Sequence, residues 1–493
     1  MITKVKTMLW VCAAVLVCAA VRTVGRAATG DEAAGPLNIG SRLELFVDDY
    51  LIEKATGVSL LLHEPQRAGK VLDFDKPWEG SPNADEPQAG SASAYVTVFK
   101  DGDLYRMYYR GMPNKSRNAS VVTCYAESKD GIHWVKPSLG LCDYKGSQDN
   151  NIVWTGPGTH NFAPFLDTNP QAPADRRYKA VAGGMGKARA LHSMVSPDGL
   201  HWKFLQDGLI KKTDLTQKGF DSQNLAFWDA ERQCYQAYFR VWVSGVRLIA
   251  HSTSPDFVHW SDAELIQGAP AETHLYTNAT TPYFRAPHIL LAFPARFMGQ
   301  RKAVSDYPVP GVSDGLFMTS RDGLHFHSFE EAFLRPGRDR SNWTQRSNYI
   351  AWGVVPTAAD EISIYFTQQY EHPTAHVARG VLRTDGFVSA HASAQTGELI
   401  TKPLLFDGKL LVINYATSAA GSIRVELQTP DGKPVAGRSL SEEIYGDEIE
   451  RVATWKSDGD LSAWAGRPVR LRFVMKDADL YSLCFVSKPP APR

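Results

Sequence analysis

The chain lacks a charge surplus, a cysteine motif and a long apolar run. Its 493 residues carry 53 basic and 53 acidic side chains, a formal net charge of zero. A nucleic-acid binder normally shows a basic excess or a clustered Lys/Arg stripe, so that class has no electrostatic support. The six cysteines contain no C-x-x-C pair, which argues against zinc and thioredoxin chemistry. Beyond the amino terminus no segment approaches the roughly 18 consecutive apolar residues of a membrane-spanning helix. No nucleotide loop, catalytic-triad signature or His-rich metal motif stands out, so no cofactor and no metal is expected, with a structural calcium left open. What is present is aromatic: 12 Trp, 19 Tyr and 22 Phe, a composition that leans toward an all-β protein or one that handles sugars.

The amino terminus has the pattern of a secretory signal peptide. Lys4 and Lys6 precede an apolar run from Met8 to Val21, and small residues follow at Ala27 and Ala28. Residues 1–28 are therefore expected to be removed and the protein exported to the periplasm or the outside, with no integral membrane segment left; an uncleaved anchor is the alternative. Lys4, Lys6, Arg22 and Arg26 leave with that segment, so the mature chain has four more acidic than basic side chains. Four cysteines remain. Cys124 and Cys142 are the nearest pair in sequence; isolated buried thiols are the plainer expectation for all four.

A repeat organises most of the chain. Ser128-Lys129-Asp130-Gly131-Ile132-His133-Trp134 returns as Ser196-Pro197-Asp198-Gly199-Leu200-His201-Trp202. It returns again as Ser254-Pro255-Asp256-Phe257-Val258-His259-Trp260 and as Ser320-Arg321-Asp322-Gly323-Leu324-His325-Phe326, and fades at Asp385-Gly386. Asp-Gly between alternating apolar segments signals a hairpin, because glycine accepts the positive φ of a tight turn. Further strand pairs precede each turn, such as Tyr95–Phe99 with Leu104–Tyr109, so each unit holds about four strands. Five such units predict a five-bladed β-propeller over residues 37–392, in which closure of the ring hides the sheet edges. Leu43–Val47 or Ser59–Leu62 is expected to supply the closing strand. Short apolar strands without helical periodicity over residues 393–488 predict a C-terminal β-sandwich. The repeated Asp and His are read as scaffold, and Asp48-Asp49 as a turn or cap.

Five blades followed by a sandwich resemble the five-bladed-propeller glycoside hydrolases, the superfamily of fructan hydrolases, arabinanases and xylosidases. The Ser-x-Asp-Gly-x-His-Trp turns carry this resemblance, over residues 40–390. It implies a carbohydrate substrate and a carboxylate pair in the channel. The chain departs from the pattern: the Asn-Asp-Pro, Arg-Asp-Pro and Glu-Cys segments of fructan hydrolases are missing from the corresponding blades. Seven residues before Gly102, where arabinanase-like proteins place a base Asp, stands Tyr95.

In a propeller the segments leading into the innermost strands face the ligand. Here they are polar: His160 and Asn161 in blade two, Asp221, Gln223 and Asn224 in blade three, Tyr276 and Asn278 in blade four, Arg346 and Asn348 in blade five. Sugar hydroxyls donate and accept hydrogen bonds, so such convergence suits a glycan. Glycoside hydrolysis commonly takes two carboxyl groups. Asp221 is the first candidate, with Glu79 and Glu272 as partners and Asp85 or Glu86 behind them. Each has a plainer role, Asp221 as a turn cap and the others as solvated loop acids. Trp78 and Trp343 offer faces to a sugar ring. Arg346 suits a carboxylate or sulfate on an acidic sugar, or else braces the channel through an internal ion pair. Two functions follow: a secreted glycoside hydrolase acting on plant or algal oligo- or polysaccharide, or a non-catalytic carbohydrate-binding propeller. Oligomeric state is left open.

Overall fold

The computed structural model describes residues 35–80, 90–112, 121–183, 190–307 and 309–490. The expected signal peptide, Asp85 and Glu86 lie outside the described residues. The architecture is all-β, with only three short 3-10 turns among the described residues. Five antiparallel sheets follow one another along the chain as the blades of a propeller. Blade one is Ala94–Asp101, Leu104–Gly111, Val122–Ser128 and Ile152–Trp154; blade two runs from Asn161–Leu166 to Lys203–Asp207 and blade three from Leu225–Asp229 to Glu264–Leu265. Blade four spans His274–Leu275 to Phe326–Leu334, and blade five contains Val355–Pro356, Glu361–Gln368 and His376–Arg383.

The ring closes with a strand other than those expected. Gln66–Asp73 pairs antiparallel with His376–Arg383 and becomes the outer strand of blade five. Leu45 instead pairs with Ser482, and Val58–Leu62 pairs with Val388–Ala392, so both predicted closing segments belong to the C-terminal β-structure. That eight-stranded antiparallel sheet system also takes in Ile52–Thr56, and its two longest members are Leu410–Gln428 and Arg470–Val486. It has its own core, in which Ile39 and Phe46 pack with Leu399, Ile413, Val425, Phe473 and Leu483. Alternation shows that a segment is a strand; it does not name the edge that the strand will cover. At the inner face, blades one and five meet directly: the Val98 N–H donates to Trp352 O (2.8 Å) and the Trp352 N–H to Val96 O (2.9 Å).

The repeated turns are self-capped. Ser128 Oγ accepts from the Gly131 N–H (2.9 Å), and Asp130 Oδ1 accepts from the N–H groups of Ile132 and His133 (2.8 Å each). Asp130 Oδ2 also meets His133 Nδ1 at 2.7 Å, and this histidine side chain is 86% exposed. The same bonds recur around Asp198, Asp256 and Asp322. The repeated histidines are thus turn locks, as expected.

Each turn is held by the preceding blade. Tyr365 of blade five donates to Gly131 O (2.6 Å), Tyr108 of blade one to Gly199 O (2.9 Å), and Tyr238 of blade three to Gly323 O (2.7 Å). From blade four, Tyr283 donates to Asp385 Oδ1 (2.7 Å). The third unit departs in sequence and in mechanism. Phe257 takes the left-handed φ of 67° where its neighbours have glycine, and packs its ring on Phe165 of blade two at 5.7 Å. An aromatic contact replaces the hydrogen bond.

The sulfurs of Cys124, Cys142, Cys234 and Cys484 are unbridged. Asp48 caps its turn through the Tyr50 N–H (3.1 Å) and ion-pairs with Arg321 (2.7 Å). Gly199 O accepts from both the Tyr108 hydroxyl and the Trp202 indole N–H (2.8 Å), so Tyr108→Phe removes one of its two donors and is expected to cost about 1 kcal/mol. Gly199→Ala is expected to cost more, because its Cβ would lie 2.7 Å from Tyr108 Oη at a φ of +82°. Denaturant unfolding checks both, and wild-type stability in Gly199→Ala would remove the joint from the account.

Candidate functional site: the mouth of the channel

The leads into the inner strands meet at one end of the channel. At its centre stands Asp221, with Oδ1 3.6 Å from His160 Nε2 and Oδ2 3.5 Å from Arg240 Nη2. Blade two thus faces blade three across one carboxylate, whose side chain is 36% exposed. Around it lie four tyrosines. Tyr95 packs its ring near His160 (6.1 Å) and Tyr349 (6.4 Å), and Tyr349 lies 5.4 Å from Tyr276. The Tyr370 hydroxyl receives N–H groups from Arg110 and Arg346, both at 3.2 Å, and so ties blade one to blade five. Burial pushes the Tyr95 and Tyr349 phenols upward, which keeps them neutral donors.

Four guanidinium groups share this mouth. Arg110 sits over Tyr95 (4.6 Å) and reaches His160 Nε2 (3.3 Å). Arg240 and Arg247 lie over Tyr276 at 4.9 and 4.8 Å, and Arg346 approaches the same ring at 5.9 Å. Among the described residues, Asp221 is the one carboxylate within ion-pairing distance of any of the four. Several buried polar atoms lack a partner: Arg110 Nε, Arg240 Nε and Nη1, Arg346 Nε, His160 Nδ1, Asn161 Oδ1, Asn348 Oδ1 and the Tyr349 hydroxyl. Unmet buried donors are costly, so their concentration at one mouth marks a surface shaped for a ligand.

The backbone is strained at the same place. Tyr95 (φ 55°), Phe220 (75°), Ala279 (43°), Arg346 (59°) and Asn348 (65°) are non-glycine residues in the left-handed region, and they stand at or beside the starts of four inner strands. Such outliers cost about 1–3 kcal/mol each and persist where the surrounding structure over-determines them.

The residues proposed from sequence divide into two groups. Asp221, His160, Tyr276 and Arg346 meet at the mouth, and among the described residues Arg346 is held by Tyr370 and by its backbone bond to Ser313 Oγ rather than by an ion pair. Asn161 and Asn348 are buried there, each with an amide donor spent on backbone carbonyls and a free Oδ1. Gln223, Asn224 and Asn278 are scaffold. Gln223 donates to Val96 O (3.0 Å) and Thr97 Oγ1 (3.1 Å) across the channel. Asn224 bonds Phe220 O, Ser222 O and the Arg240 N–H; Asn278 bonds Gln223 O, Tyr238 O and the Thr280 N–H.

Glu79, Trp78, Trp343 and Glu272 stand apart from Asp221. Glu79 is fully buried inside blade one, where it pairs with Lys136 Nζ (2.6 Å) and accepts from the Tyr109 hydroxyl. Burial pushes its carboxyl up, against the Lys136 ammonium that pulls it down. The Trp78 indole is buried and donates to Asn151 Oδ1 (2.9 Å); the Trp343 indole donates to Gly337 O (2.7 Å). Glu272 is exposed ahead of its strand.

Arg110, Arg240, Arg247 and Tyr370 escaped the sequence reading. A signal was there: Tyr108-Tyr109-Arg110 and Tyr238-Phe239-Arg240 end apolar stretches of the second strands of blades one and three with a charge. Among the described residues no group of three His, Cys, Asp or Glu side chains is placed to hold a metal, and no helix is long and apolar enough to cross a membrane.

No family profile matches the chain. An uncharacterized protein of Mycobacterium tuberculosis is 26% identical over 137 residues, 27% of this chain and 40% of that protein. The chain therefore spans less than half the length of this curated relative. Among solved structures it is similar to a glycoside hydrolase (TM-score 0.44, 12% identity, 65% of this chain and 92% of that one). It is also similar to an N-acetylgalactosamine deacetylase from F. plautii in complex with blood group B trisaccharide (0.44, 14%, 65% and 95%). A GH32 beta-fructofuranosidase of Bombyx mori gives 0.43 at 8% identity, over 86% of this chain and 95% of that one. At such low identity, the fold assigned above stands on its own strand pairing.

His160 is pushed down to about 4, first by burial and then by Arg110, while Asp221 pulls it up. It therefore stays neutral at pH 7. Because its folded value lies below the ordinary 6.5, its contribution to stability falls as pH drops from 6.5 towards 4. Ring NMR should place its midpoint near 4 and lower still in Asp221→Asn; a midpoint above 6 would contradict the geometry. In blade one, Lys136→Met leaves Glu79 buried without its counter-ion and is expected to cost about 3 kcal/mol in a denaturant melt.

Proposed function

We propose that the chain is a carbohydrate-active propeller that hydrolyses a glycosidic bond at the channel mouth, with Asp221 as its reacting carboxylate. The observation that carries this reading is the placement of Asp221. It is half-exposed where five blades converge, between a neutral imidazole and a guanidinium, on a strained backbone. In its carboxylate form it can take a proton from a water molecule as the water oxygen bonds to the anomeric carbon and the bond from that carbon to the glycosidic oxygen breaks, the departing oxygen taking its proton from a second water molecule. The unpartnered Tyr349 hydroxyl and the free Oδ1 atoms of Asn161 and Asn348 supply hydrogen-bonding groups of the kind that seat a sugar. The likeness in repeat and ring to the five-bladed glycosidases agrees with this reading, and the amino-terminal pattern supports action after export.

A second reading, a glycan-binding propeller without catalysis, is favoured by one observation. Glu79, the sequence's first candidate for the acid, is fully buried and committed to Lys136 and the Tyr109 hydroxyl, so it is not placed to protonate the leaving oxygen. One experiment separates the two. The purified protein is screened for release of reducing ends from a polysaccharide panel that includes neutral and acidic polymers. Hydrolysis with a loss of at least about 100-fold in Asp221→Asn supports the enzyme. Binding with no turnover on any polymer selects the second reading, and undiminished turnover in Asp221→Asn removes Asp221 from the chemistry.

A further inference from the structure

Among the described residues, positive charge at the mouth exceeds what Asp221 can answer, and the excess is concentrated on blade three. Lys218, Arg240, Trp242 and Arg247 line, with Asp221, a cavity of about 230 Å³. Arg240 is 3% exposed, yet its Nε and Nη1 have no hydrogen-bond partner; Arg247 Nε is also unpartnered. Both guanidiniums lie on aromatic faces, Arg247 at 4.2 Å from the Trp242 centroid and both against Tyr276. Stacking of this kind eases the burial of the charge, but it cannot satisfy the N–H groups, which radiate in the guanidinium plane. Two cations held on one ring also repel. Burial lowers the pKa of Arg247, with Tyr276 acting against it and the Arg240 charge adding to it. A sugar hydroxyl could accept one of these N–H groups, yet only an anion also answers the charge.

We propose that Lys218, Arg240, Arg247 and Trp242 form an oxyanion subsite, and that the glycan taken at this mouth carries a carboxylate or a sulfate ester on the ring beside Asp221. The inference rests on the reading of the mouth as a glycan site. It moves the anion contact from Arg346, where the strand-leading position alone placed it, to the end of the second strand of blade three. The planar fork of arginine suits both oxyanions, and Trp242 offers a face to the ring that bears them. With no cationic surplus over the whole chain, selectivity for anionic glycans has to be local.

Affinity electrophoresis at pH 7 tests this without turnover if Asp221→Asn protein is used throughout. Gels contain polygalacturonate for the carboxylate, carrageenan for the sulfate ester, or unsubstituted galactan. Retardation is expected in at least one anionic gel and not in galactan, weakened by added salt. The second substitution Arg247→Met should weaken it roughly tenfold. Lys218→Ala, at an exposed position, gives a smaller loss, and thermal melts verify that both variants fold. Equal retardation by galactan, no retardation by either anionic polymer, or retardation unchanged in a folded Arg247→Met variant overturns the proposal. So does stabilisation by inorganic sulfate or phosphate that depends on Arg247 while neither polymer binds, since the cavity then takes a free ion. Arg247-dependent binding of an anionic polymer that the wild type does not hydrolyse leaves the subsite standing and removes only the hydrolase. Hydrolysis confined to neutral glycans does the reverse.

Discussion

The joint between one blade's aromatic side chain and the next blade's Asp-Gly turn is the contact on which the rest of the molecule depends. Each turn closes on itself through its Ser and Asp, which leaves a backbone carbonyl facing the neighbouring sheet. Tyr365, Tyr108 and Tyr238 fill that demand with a hydroxyl. Tyr283 holds Asp385 in the same way, and Phe165 with Phe257 makes the apolar version. A buried carbonyl must be met, and at Gly131 and Gly199 the turn's own tryptophan supplies one donor while the neighbouring blade supplies the second. The joints therefore fix where each blade sits about the ring, and with that where each inner strand begins.

The mouth inherits its geometry from this arrangement. His160, Asp221, Tyr276, Arg346 and Tyr95 belong to five different blades and touch because five strand starts are brought to one end of the channel. The cost is visible there: left-handed φ values at non-glycine residues, unpartnered guanidinium nitrogens and a histidine held neutral. Within blade one, by contrast, the buried charge of Glu79 is answered in full by Lys136 and Tyr109. One set of polar groups is completed by the fold; the other is left open at the mouth.

How much of this was legible depends on the range of the interaction. The turns were legible because Ser, Asp and Gly make their bonds within three residues of each other, and local chemistry leaves a local signature. That Asp221, His160 and Arg346 would lie at one end of the channel was legible because strand-leading position is also local. Glu79 and Trp78 were misplaced as mouth residues, since a loop acid beside a tryptophan looks the same whether it faces a channel or a buried lysine 57 residues onward. Gln223 and Asn278 read as ligand groups because nothing in the sequence reveals that their amides would meet carbonyls across the channel or on a neighbouring strand.

The sequence by itself determined the periodic unit, the number of units and the chemistry of the turns, because these follow from residues adjacent along the chain. Tertiary structure alone decided that Gln66–Asp73 closes the ring while Val58–Leu62 joins the second β-domain. It alone gathered Arg110, Arg240, Arg247 and Arg346 around one carboxylate. Strand pairing and charge pairing are settled by distance in space, and segments far apart along the chain carry no mark of which edge, or which counter-charge, they will meet.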